Sequence, residues 1–136
     1  MNYYSLNKNA PSVDFKEATI KGQAPDKGLY FPEKIPVIDP AIINNIQQYS
    51  KEALALAIML PYVGNCINKA DLSSIVADTI NFSFPLVPLN ERMESLELFH
   101  GPTLAFKDVG ARFMSRCLGY FSKDQKSTIT VLVATS

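Results

Sequence analysis

The sequence predicts an α/β chain, with α+β character in its first part. Three observations predict this. Short β-prone runs near the start are broken by proline and glycine, and helix-start signals with helical apolar spacing follow them. From Pro85 the order becomes strand, helix, strand, which is how an α/β unit opens. We therefore expect a first domain of short strands with about three helices over residues 1–84. A second domain is expected to begin at 85 and run to 136.

Tyr3-Tyr4-Ser5-Leu6 is the first β-prone run, and Asn7-Lys8-Asn9-Ala10-Pro11 breaks it. Val13 to Gly28 carries glycines and a proline and reads as loop with one short element. Gly28-Leu29-Tyr30-Phe31-Pro32 reads as a second short strand. Asp39-Pro40 pairs a capping carboxylate with a proline at the first helical position. Ile42, Ile43 and Ile46 follow at helical spacing. Ser50 caps the next helix, whose wide apolar face holds Leu54, Ala55, Ile58 and Met59, and Pro61 ends or kinks it. A third helix starts at Asn68 or Asp71, with Leu72, Ile75, Val76 and Ile80 on one face.

In the second part, Leu86 to Leu89 and Leu96 to Phe99 read as strands around the turn-like Asn90 to Glu94. The loop His100-Gly101-Pro102-Thr103 leads to a helix from Asp108, with Val109, Phe113, Cys117 and Phe121 four residues apart. Thr128 to Ala134 is apolar on both faces, which suits a central strand of a parallel sheet. Such a strand needs neighbours on both edges, and a sequence ending at Ser136 does not supply them. The chain therefore reads as the beginning of a longer one. The other reading is a small interaction module whose copies self-associate through strand 128–134.

Composition excludes several roles. Lys plus Arg and Asp plus Glu balance at 13 each, without blocks of like charge, so nothing steers the chain to nucleic acid. With 2 cysteines far apart and 1 histidine, no metal site is expected. Met1 to Ala10 has no apolar signal core. The longest apolar stretch, Ala53 to Leu60, is far short of the ~20 residues a membrane span needs. Lone cysteines in apolar surroundings point to a cytoplasmic protein.

The chemistry lies in Glu97 to Met114, ELFHGPTLAFKDVGARFM. Gly101 and Pro102 stiffen the loop. Lys107 precedes the helix start, where the positive helix end disfavours a protonated amine. Leu104, Ala105 and Phe106 would desolvate it in the same sense. A neutral lysine amine is a nucleophile toward carbonyls. Asp108 either faces that amine or caps the helix, and the position suits a cap better. Taken alone, a lysine beside an aspartate at a helix start more often marks solvated surface. His100 alone reads as a hydrogen-bonded loop residue, and Arg112 as a surface or structural ion pair before a phosphate contact.

HGPTLAFKD with the following GARF resembles the signature of the threonine synthases, which are fold-type II pyridoxal-phosphate enzymes. Two further segments agree. YYSLN followed by GQAPDKGLYFPE resembles that family's amino-terminal domain, and VLVATS resembles the strand before its SGDTG loop. The resemblance implies that Lys107 forms the Schiff base with pyridoxal 5'-phosphate. It implies that His100 and Thr103 line the substrate site, and that Ser136 is the serine of the cofactor-enclosing loop. It implies a substrate, O-phospho-L-homoserine, converted with water to L-threonine and phosphate. Residues 85–136 would then open the fold-type II cofactor domain. The resemblance covers about the first third of a family member, so the isolated chain is expected to be inactive.

Overall fold

The computed structural model describes residues 1–123 and 130–131. Strand β1 (Asn2–Ser5) is central in a three-stranded antiparallel sheet, between β2 (Val13–Asp14) and β3 (Tyr30–Pro32). Tyr3 pairs across to Val13 on one side and Pro32 on the other. The period of two sends Tyr3 and Ser5 inward. The Tyr3 hydroxyl donates to Tyr62 O at 2.9 Å, and burial pushes this phenol up to about 12. Ser5 is fully buried and donates from Oγ to Asp26 Oδ1 at 2.6 Å. Gly28 lies so close that any Cβ there would collide with Ser5 Oγ.

The segment from Val13 to Gly28 holds more order than its glycines suggested. It forms β2 and a helix, α1 (Phe15–Lys21). Asp14 caps α1, its carboxylate accepting from Glu17 N–H at 2.8 Å, and Gly22 at φ +67 closes it. Three further helices follow in the first part: α2 (Pro40–Asn44), α3 (Lys51–Val63) and α4 (Lys69–Thr79). The first part thus has four helices where three were expected.

Each later helix start is where the caps place it. Asp39 accepts from Ala41 N–H, Ser50 from Ala53 N–H and Asn68 from Asp71 N–H. Asn68, not Asp71, is therefore the cap of α4. Helix α2 stops early because Asn45 turns its side-chain amide onto Ala41 O, a carbonyl that helix continuation would use. Ile46 falls in a short 3-10 turn instead. Pro61 lies inside α3 without ending it, since only the last turn follows. Gly64, at φ +60, is the terminator.

Strands β4 (Leu86–Asn90) and β5 (Met93–Leu96) form an antiparallel hairpin, with Leu86 opposite Leu96. The expected second strand over Leu96 to Phe99 is shifted toward the turn. Asn90 Oδ1 accepts from Arg92 N–H and makes that turn tight. Helix α5 (Asp108–Ser122) then returns onto the first part. Its Cys117 and Phe121 join Val63, Ile67, Leu72, Val76 and Ile80 in one buried cluster. Arg112 fixes the approach. Its Nε donates to Thr79 O at 3.2 Å and its Nη2 to Asn81 Oδ1 at 3.1 Å, at the end of α4. Arg116 pairs with Asp78 beside it.

The mixed helix and strand fold expected from the sequence is present, with both sheets antiparallel among the described residues. The strand expected at 128–134 and Ser136 lie outside the described residues. Among those residues, no helix is long and apolar enough to cross a membrane.

Candidate functional site

The loop from Glu97 to Lys107 joins β5 to α5. At its start the His100 and Phe99 rings stack with centroids 4.7 Å apart, and His100 Nε2 lies 2.6 Å from Glu97 Oε2. His100 is thus a hydrogen-bonded loop residue. The chain then turns at Gly101, where Leu104 N–H donates to Gly101 O at 3.1 Å. Leu104 sits at φ +58, a left-handed conformation that a bulky side chain rarely adopts.

Asp108 organises this turn. It is the first residue of α5 and only 4% exposed. Its carboxylate does not cap the helix, contrary to the sequence expectation. It instead accepts twice from Thr103, from N–H at 3.0 Å and from Oγ1–H at 2.6 Å. A buried carboxylate must be compensated by donors, and Thr103 supplies both. The Thr103 hydroxyl bond, against the opposing effect of burial, holds this carboxyl below its usual value. Gly101 packs against the same carboxylate, and a Cβ there would collide with it. Sequence reasoning missed this arrangement. Its signal is a hydroxyl five residues before a carboxylate, across a turn that starts with glycine.

Lys107 immediately precedes Asp108. Its carbonyl accepts from Ala111 N–H at 2.9 Å, so its backbone already belongs to the helix start. Its side chain is exposed, with Nζ 5.8 Å from the centroid of the Phe106 ring. The amine borders an open groove of about 450 Å³ lined by Phe106, Lys107, Gly110, Ala111 and Met114. Leu104 and Phe106 were expected to desolvate Lys107. They are 75% and 65% exposed, so within this chain they do not. The structure brings His100, Thr103 and Lys107 onto one loop. The first two turn their polar groups to Glu97 and Asp108. Arg112 is structural, committed to the end of α4. Among the described residues, no group of three or more potential metal ligands clusters.

The family model described as the threonine synthase N terminus matches residues 2–80. A threonine synthase from Haemophilus influenzae is 38% identical over 136 residues, covering all of this chain and 31% of that protein. One from Buchnera aphidicola subsp. Baizongia pistaciae is 34% identical over 137 residues, covering all of this chain and 32% of that protein. Two solved structures share the fold. A pyridoxal-phosphate-bound threonine synthase from Brucella melitensis has a TM-score of 0.84 at 36% identity, over 90% of this chain and 27% of that one. The Escherichia coli threonine synthase has a TM-score of 0.85 at 31% identity, over 91% of this chain and 29% of that one. The chain spans about a third of the length of the curated relatives it matches. With a family model over more than half of its residues and a shared fold, this chain belongs to the threonine synthase N-terminal family.

Proposed function

We propose that this chain is the amino-terminal part of an enzyme that converts O-phospho-L-homoserine and water to L-threonine and phosphate. Lys107 would be the covalent attachment point of pyridoxal phosphate. The observation that carries this reading is the exposed Lys107 amine at the start of α5, beside an open groove. The residues present fit the cofactor in part. They offer an amine and a groove with an apolar wall, and Gly110 leaves that wall open to close approach. Residues 85–136 would be the beginning of the cofactor domain, and residues 1–84 the domain before it.

When bound, pyridoxal phosphate supplies the electron sink for carbanion chemistry. Lys107 would hold the cofactor through Nζ, and the same amine would be the base that moves the proton at the substrate α carbon. Over the whole reaction the γ carbon would lose phosphate and gain a proton, and the β carbon would lose a proton and gain the hydroxyl of water, which balances it. His100 and Thr103 would belong to the loop that lines the substrate site, with the Thr103 hydroxyl committed to Asp108. Ser136 would belong to the loop that closes over the cofactor. We place the enzyme in the cytoplasm, where its free cysteines, Cys66 and Cys117, remain reduced.

Borohydride reduction of the full-length enzyme, followed by peptide mapping, tests this reading. The pyridoxyl label is expected on Lys107, and a label on any other lysine would defeat it. The isolated 136-residue chain is expected to trap no stoichiometric cofactor, because it spans only a third of such an enzyme. Relatives that match along its whole length as part of a longer enzyme favour this over a separate interaction module.

A further inference from the structure

We propose that Thr103 and Asp108 form a positioning clamp for Lys107, fixing the point from which its amine projects. The inference rests on the reading of Lys107 as the attachment lysine.

Four observations converge on it. Asp108 is the immediate neighbour of Lys107 and is buried, while Lys107 itself is exposed. Both carboxylate oxygens are occupied by one residue, Thr103, at 3.0 and 2.6 Å, so the chain from 103 to 108 is drawn into a closed ring. Gly101 leaves the space that the carboxylate fills. Leu104 is held at φ +58 within that ring, a conformation that persists only where its surroundings over-determine it.

Packing within this chain does not hold the turn. The Leu104 and Phe106 side chains are largely outside, so the turn gains little from burial. It is tied to the first turn of α5 by the Asp108 carboxylate and by Asp108 N–H, which donates to Ala105 O at 3.0 Å. The clamp also sets the electrostatics of the site. With both oxygens turned to Thr103, Asp108 makes no ion pair with Lys107 among the described residues. Asp108 and Thr103 act on the reaction through Lys107, and are positioning rather than catalytic residues.

The test compares Thr103→Val, Thr103→Ser and Asp108→Ala in the full-length enzyme. Misplacing a reacting group by about 1 Å costs on the order of 100-fold in rate, so Thr103→Val is expected to lower kcat by ~10- to 100-fold with KM within about threefold. Thr103→Ser keeps the hydroxyl and is expected to restore kcat to within roughly threefold of the parent. Amide hydrogen exchange gives a readout independent of activity. The Thr103 N–H is expected to lose protection in Asp108→Ala, which removes its acceptor, while α5 keeps its own. Since Thr103 is exposed, Thr103→Val remains informative if Asp108→Ala fails to fold. Unchanged kcat in Thr103→Val, with the pyridoxyl label still on Lys107, would overturn the clamp alone. A label on another lysine would overturn the reading of Lys107, and the clamp with it.

Discussion

Cys117 sits on α5 with no solvent exposure, and burial alone pushes its thiol up to about 12. A thiol so placed stays protonated near neutrality and meets no reagent. Cys66, just after α3, is partly exposed. One thiol is therefore expected to react with a disulfide reagent in native buffer, and the second only on unfolding. Two equally fast thiols in native buffer would contradict the packing of α5. Leu72 makes the same point through volume. It is fully buried in the cluster that α3, α4 and α5 share, so Leu72→Ala should cost about 2–5 kcal/mol in urea unfolding. At this scale the sequence was legible where chemistry is local. His100 could be read from its place in the loop as a hydrogen-bonded residue, whereas Lys107 was singled out by the resemblance of HGPTLAFKD, its immediate neighbours alone pointing to solvated surface. The role of Asp108 could not be read, because it depends on a turn that brings Thr103 back across five residues.

Helices were legible where their caps are written beside them. Asp39, Ser50 and Asn68 each accept a hydrogen bond from the first turn they precede. Removing one cap tests its weight. Asn68→Ala should cost about 0.5–2 kcal/mol, read as a lower urea midpoint with an unchanged slope. A change under a few tenths would mean that packing alone positions α4. Helix α1 was harder to read. Its 7 residues span about two turns, too short to display a period, and the glycines and proline that follow it suggested a loop. The shift of β5 has a similar cause. Turn chemistry at Asn90 to Arg92 sets the hairpin register, and apolar content alone could not fix it.

Across the molecule, three carboxylates act as ties, two of them between segments far apart in sequence and one across the turn before α5. Asp26 accepts from Ser5, Asn9 and Gly28, Asp78 pairs with Arg116, and Asp108 accepts from Thr103. Hydrogen bonds from Ser5, Arg116 and Thr103 are the largest causes that hold them below their usual 3.8. A carboxyl depressed in the folded state contributes stability above its unfolded value and loses it as pH falls through its folded one. The urea midpoint is thus expected to hold between about pH 7 and 5 and to fall progressively below about pH 4. A midpoint flat down to pH 2 would show that these ties carry no net stability.

Helix α5 supplies Cys117 and Phe121 to a cluster otherwise built between Val63 and Ile80. Synthesis from the amino terminus gives this shared cluster an order in time. Once α4 has left the exit tunnel while α5 is still inside it, α3 and α4 carry one apolar side unsealed. That side closes only when the last turns of α5 leave the exit tunnel. Nascent chains stalled before Cys117 should be held by chaperones and cut readily by protease, and those stalled well past Phe121 should resist both.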